Sequence, residues 1–130
     1  MASRKVRPRY LRELGNDLEA AMALAAHDLV VTQVMTADEA VAALRYRIDL
    51  ALRPFEGADW QPSAGTLVVD AVEDLQQDLI EGVGSRPGIV VWPRCPMHDN
   101  HPLWLRFAGE ADPAWTCSST EQAIAELGDL

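Results

Sequence analysis

Four side chains able to do metal chemistry fall within one stretch of the chain, Ile89 to Cys117. Cys95, His98, His101 and Cys117 follow the spacing C-x2-H-x2-H-x15-C and include both cysteines and two of the three histidines of the protein. Two thiolates and two imidazoles form a donor set that Zn²⁺ accepts in a tetrahedral array. The two-residue gap in Cys95-Pro-Met-His98 lets both side chains reach one ion while N–H groups of the turn face the thiolate. The plain alternative is a pair of buried thiols beside ordinary loop histidines. A Cys95–Cys117 disulfide would need export, and the opening MASRKVRPRY is charged with no apolar run behind it. The expected compartment is therefore the cytoplasm, where paired cysteines more often hold a metal or stay reduced.

A hairpin is needed to close such a cluster. HPLWLRF alternates, with Leu103, Leu105 and Phe107 on one side and Trp104 and Arg106 on the other, which is the period of a strand. Ala108 to Asp112 can turn the chain. Pro113 to Cys117 can then return as the antiparallel partner, with Trp115 and Cys117 on one face. That return carries Cys117 back beside Cys95, His98 and His101. Ile89 to Trp92 reads as a short apolar β run leading in. After the hairpin, Ser118-Ser-Thr-Glu121 has the form of a capping box. It predicts a short final helix with Ile124 and Leu127 turned inward and Gly128 just past its end.

The C-P-x-H knuckle, the hairpin and the W-x-C return strand resemble zinc-ribbon-like proteins over about thirty residues. The segment is also similar to the ends of small uncharacterised proteins of high-GC bacteria and their phages. Ten Arg against one Lys agree with a GC-rich source. Cys95, His98 and Cys117 match the ribbon pattern as they stand. A ribbon would show a further Cys or His shortly beyond Cys117, where Thr120 is found. The fourth ligand is then His101, or Asp99, or a partner's side chain, or nothing. The resemblance implies structural zinc, since four protein ligands close the site. Three ligands would leave a water position, with Asp99 or Asp112 as base, and so a small metal-dependent hydrolase. No HExxH, deaminase or nucleophile-elbow signature is present, and no catalytic residue is assigned.

Helices must carry this β element. Residues Pro8 to about Leu29 place Leu11, Leu14, Leu18, Met22, Ala25 and Leu29 at three- and four-residue steps, one face of a helix. Leu29 to Met35 reads equally as a strand or as its continuation, and His27 as a structural or exposed residue. Thr36-Ala-Asp-Glu39 is a capping box for a second helix, running to about Leu52 and stopped by Pro54. Its expected inner face is Val41, Leu44, Ile48, Ala51 and Leu52, with Arg45 pairing to Asp49. Phe55 to Gly65 is a loop, its Trp60 expected to fold back as a lid on the core. Thr66 to about Glu81 is the third helix, with Val68, Val72, Leu75 and Leu79 as its buried stripe. Asp70, Glu73, Asp74, Asp78 and Glu81 lie on its other sides and read as a solvated face. GVGSRPG lacks the ending and the context of a phosphate loop and reads as a turn.

Charge bounds the partners. The net charge is −9, yet Arg4, Lys5, Arg7, Arg9 and Arg12 put +5 into the first twelve residues. The remaining 118 residues hold 20 acids against 6 bases, a net −14. So acidic a body repels phosphate backbones, and a nucleic acid could be met only through the basic arm. Ala20 to Met35 is too short and too polar to span a bilayer.

These features predict an α+β chain, 1–130, folding as one domain: a basic arm over 1–12, a mainly helical part over 13–85, and a β hairpin with the metal site and a final helix over 86–130. The expected function is a non-enzymatic protein-interaction, assembly or regulatory role, with a protein partner or a second copy contacted through Trp92, Trp104 or Trp115. The metal-dependent hydrolase and the nucleic-acid module stand as alternatives.

Overall fold

The computed structural model describes residues 18–83, 86–88, 91–107 and 113–130. Three helices, α1 (Leu18–Val31), α2 (Ala37–Leu52) and α3 (Ala64–Glu81), pack on one another. A two-residue hairpin follows, β1 (Gly82–Val83) with β2 (Arg86–Pro87). A four-stranded antiparallel sheet ends the chain in the order β3 (Arg94–Cys95), β4 (His98–Phe107), β5 (Pro113–Cys117) and β6 (Ala123–Glu126). The architecture is α+β, as the sequence leads one to expect. Among the described residues no helix is long and apolar enough to cross a membrane.

Local chemistry sets the helix ends. Thr36 caps α2 by the full capping box: its hydroxyl accepts the Glu39 N–H at 3.2 Å, and Glu39 accepts the Thr36 N–H at 3.0 Å. Ser63 caps α3, which therefore starts two residues earlier than periodicity suggests. α1 runs on to Val31 and stops in a turn where Gln33 takes φ 64°. The first half of the predicted first helix, with Leu11 and Leu14, lies outside the described residues.

One core joins the helices to the sheet. Met22, Ala25 and Leu29 from α1, Leu44 and Ile48 from α2, and Val68, Val72, Leu75 and Leu79 from α3 meet Trp92, Leu103, Leu105, Trp115 and Leu127. The inner face of α2 is set slightly differently from expectation. Ala40 is buried, while Val41 is 45 % exposed. Arg45 does not depend on Asp49 for its partner. Its guanidinium donates to both carboxylate oxygens of Glu19 on α1, at 2.6 and 2.7 Å. The acids of α3 are surface residues: Asp74 and Asp78 both receive Arg47, and Glu73 faces Arg106 at 3.7 Å. Trp60 is no lid. It is 67 % exposed and, among the described residues, its ring contact is with the edge of the Phe55 ring, 5.5 Å away.

The predicted final helix is replaced by strand β6. The Glu121 N–H donates to the Cys117 carbonyl at 2.7 Å, and Glu121 takes φ 59°, which no helical first turn allows. The chain thus reverses and Gln122 accepts the Cys117 N–H at 2.9 Å. β6 then pairs with β5, Trp115 opposite Ala125 and Thr116 opposite Ala123. The open edge of β5 outweighs the local capping pattern, because strand pairing is decided by tertiary context. Leu127 still packs inward. Gly128, at φ 95°, ends a strand rather than a helix. The expected strand over Ile89 to Trp92 is likewise absent at Val91 and Trp92, which lie in a bend, and residues 89–90 are outside the described set.

Candidate metal centre

Three short devices converge on one point. β3 and β4 pair antiparallel across the turn Pro96-Met97, with Cys95 opposite His98. His101 follows on the same strand β4. β5 lies along β4 with Leu103 opposite Cys117, which brings the end of β5 to the start of β4. The ligand atoms of Cys95, His98, His101 and Cys117 all lie within 4.8 Å of one another. Both cysteines are buried free thiols, and both histidines are partly buried. The sequence-predicted set therefore assembles, His101 included.

The spacings carry information. His98 Nδ1 lies 3.6 Å from the Cys95 sulfur and 3.5 Å from the Cys117 sulfur, and His101 Nε2 lies 3.9 Å from the Cys117 sulfur. A tetrahedral Zn²⁺ with its usual bond lengths puts sulfur and nitrogen ligands about 3.5 Å apart. These three separations are close to that value, and all six stay within 4.8 Å. The two rings stand 4.8 Å apart between centroids, tilted by 33°.

Surrounding groups fix the donors. His101 Nδ1 is 3.0 Å from the Pro102 carbonyl, so this nitrogen donates and leaves Nε2 free to bind. The Cys117 thiol is pulled well below its ordinary range, to about 6. The Thr120 hydroxyl is the largest cause and burial opposes it. The N–H groups of Thr120 and Ser119 and the Cys95 thiol add to the lowering. Thr120 thus lies on the turn after β5, placed to donate to the Cys117 sulfur. The sequence shows Thr120 only as a departure from a pattern; its role becomes visible once the turn after β5 is seen to fold back. Ser119 Oγ also approaches His101 Nε2, at 3.4 Å.

The other candidates do not join. His27 sits on α1, half exposed, 3.2 Å from Asp28 Oδ1. Asp112 and the side chain of Asp99 lie outside the described residues. Of the three tryptophans near the cluster, Trp92 and Trp115 are core residues at 4 % and 1 % exposure. Only Trp104 reaches the outer face of the sheet, with the Arg106 guanidinium 5.6 Å from its ring.

Two buried polar groups that the sequence gives no reason to single out hold the sheet on the helices. Asp28 accepts the Trp115 indole N–H at 2.8 Å, the Gly128 N–H at 2.8 Å and the Leu130 N–H at 3.1 Å. Gln76 Nε2 donates to the carbonyls of Trp92 and Leu103, at 2.9 and 2.7 Å.

Fold and cluster together define a small α+β domain built around a Cys₂His₂ set compatible with a metal ion. The chain belongs to the family described as a domain of unknown function, DUF8819, which matches residues 14–127. That span takes in all three helices and the four candidate ligands, and leaves the basic opening residues outside. No curated protein and no solved structure matches the chain.

Proposed function

We propose that this chain is a non-enzymatic protein-interaction, assembly or regulatory domain whose sheet is pinned by one structural zinc ion on Cys95, His98, His101 and Cys117. The observation that carries the reading is the convergence of two sulfur and two nitrogen donors within 4.8 Å, at sulfur–nitrogen distances of 3.5 to 3.9 Å. Zinc suits the set because it accepts thiolate and imidazole together and has no geometric preference beyond the tetrahedron. The knuckle at Cys95-Pro-Met-His98 and the W-x-C return strand support a likeness to zinc ribbons. Four protein ligands leave no position for a substrate water, which disfavours a hydrolase.

The partner, protein or second copy, would meet the outer face of the sheet at Trp104 and Arg106, since Trp92 and Trp115 are consumed by the core. Aromatic and Arg side chains anchor interfaces more often than other residues. The test is elemental analysis of the purified chain together with sedimentation. One zinc per chain, lost in Cys95→Ser and Cys117→Ser, supports the reading. Metal-free folded protein with both thiols titratable overturns it. Self-association that weakens in Trp104→Ala at unchanged zinc content would assign the face to a second copy.

A further inference from the structure

The outer face of the sheet carries opposite charges at the two ends of one cleft. Cross-strand pairing puts Trp104, Thr116 and Ala123 in one row over β4, β5 and β6. These three residues line a cleft of about 380 Å³. Arg106 stands two residues along β4 on the same face, level with Ala114. Glu121 lies past the other end of β5, in the turn that follows Cys117. Both also line the cleft, so a cation closes one end and an anion the other. The guanidinium is held from its own side: it donates to the Leu105 carbonyl at 2.9 Å, lies 5.6 Å from the Trp104 ring and faces Glu73 at 3.7 Å. Its side chain is still half exposed. Glu121 is exposed and enters no ion pair among the described residues. A ligand of one sign meets attraction at one end of this cleft and repulsion at the other. A copy of the same face, turned about a two-fold axis through the middle, meets attraction at both.

We propose that this face is the contact of an isologous homodimer, with its two-fold axis beside the row Trp104, Thr116 and Ala123. The proposal deepens the interaction role argued above and rests on it for the choice of face. Each Arg106 pairs with the partner's Glu121, and each Glu121 with the partner's Arg106. The centre of the contact is uneven in a way that a two-fold arrangement can use. Trp104 is large, while Thr116 and Ala123 are small and leave room for the partner's Trp104. An indole covered in this way loses apolar surface without burying a charge. The two ion pairs at the rim set the angle at which the copies meet. A net charge of −9 on each copy repels other approaches, so association is confined to orientations in which opposite charges meet.

The test is sedimentation equilibrium of the full chain as purified, with zinc content measured on the same samples. The wild type should be a dimer at micromolar concentration. Arg106→Glu and Glu121→Arg should each weaken association about 10-fold or more, since each sets like charges together twice. An equimolar mixture of the two variants should associate as tightly as the wild type, because both pairs re-form in the mixed dimer. The double variant Arg106→Glu/Glu121→Arg should dimerise for the same reason. Neither residue is a candidate metal ligand, so zinc content should not change. Where a reversal prevents folding, Arg106→Gln and Glu121→Gln take its place, and each should weaken the dimer by a smaller factor. A monomeric wild type leaves the face to a different protein and overturns the proposal. A dimer indifferent to both substitutions places the contact elsewhere and overturns it as well, as does a loss that neither the mixture nor the double variant recovers. A zinc-loaded monomer leaves the zinc reading standing, whereas a metal-free dimer with recovery in the mixture upholds this contact and ends that reading.

Discussion

Strand β5 takes part in two buried polar knots, and they differ in kind. At Cys117 it enters a cluster made from three strands of one sheet, all within the last 36 residues. Two residues earlier, at Trp115, it enters a knot centred on Asp28, which lies 87 residues away on α1. The first ties strand to strand. The second ties the sheet and the C-terminal residues to the helical layer, because Asp28 also holds the N–H groups of Gly128 and Leu130. On the zinc reading proposed above, the first knot concentrates its energy in one ion: structural zinc contributes on the order of 10 kcal/mol in small domains. A carboxylate knot spreads its energy over neutral N–H donors, about 1–3 kcal/mol for each partner left unpaired.

The largest effect expected is from metal removal. Chelation, or Cys117→Ala, should melt the sheet and leave the helices, since α1, α2 and α3 share apolar contacts of their own. Far-UV circular dichroism should retain its helical bands, while amide exchange rises in 94–107 and 113–126. If the helices unfold in the same transition at the same chelator concentration, the two knots are one cooperative unit and the contrast drawn above fails.

Second in size is Asp28→Ala. It leaves the buried Trp115 indole N–H and two part-buried backbone N–H groups without their acceptor, a loss of about 2–4 kcal/mol. Zinc content should stay at its wild-type value, and indole fluorescence should report a loosened Trp115. Asp28→Asn keeps one acceptor oxygen and should cost about half as much. Loss of metal in Asp28→Ala would show that the helical anchor positions the cluster.

Why one knot was legible in the sequence and the other was not follows from range. Cys95, His98, His101 and Cys117 lie close along the chain, are rare residue types, and bracket an alternating strand; local rules suffice to bring them together. Asp28 is one of 20 acids, on a helix whose buried face it shares with Ala25 and Leu29. Its partners are an indole and two backbone groups, which leave no mark in a sequence. The same limit explains β6. Ser118 to Glu121 satisfies the local code for a helix start, and only the unpaired edge of β5, set by long-range pairing, overrides it. The helices were legible where periodicity and caps agree, as at Thr36 and along Val68, Val72, Leu75 and Leu79. The Trp60 lid failed because a lone aromatic in a loop carries no information about what it touches.

A finer contrast lies within the cluster. Thr120→Val removes the hydroxyl that most lowers the Cys117 thiol while keeping its shape. Zinc affinity should fall about 10-fold, the lower end for lost partners of metal ligands. Competition with a chromogenic chelator measures it, and thermal stability of the zinc-loaded protein should barely move. An unchanged affinity would mean that the N–H groups of Ser119 and Thr120 already suffice.

The smallest effect is expected at His27, and it sharpens the reading of the Asp28 knot. His27 Nδ1 stands 3.2 Å from Asp28 Oδ1, yet its side chain is 54 % exposed while that of Asp28 is fully buried. Three N–H donors from Trp115, Gly128 and Leu130 already engage both carboxylate oxygens. An imidazole so open to water adds little, because solvent screens its charge and competes for its hydrogen bond. His27→Ala should therefore cost less than about 0.5 kcal/mol in urea unfolding, far below Asp28→Ala. A cost comparable to that of Asp28→Ala, and reduced by salt, would turn the knot into an ion pair held by His27 rather than a carboxylate held by neutral donors.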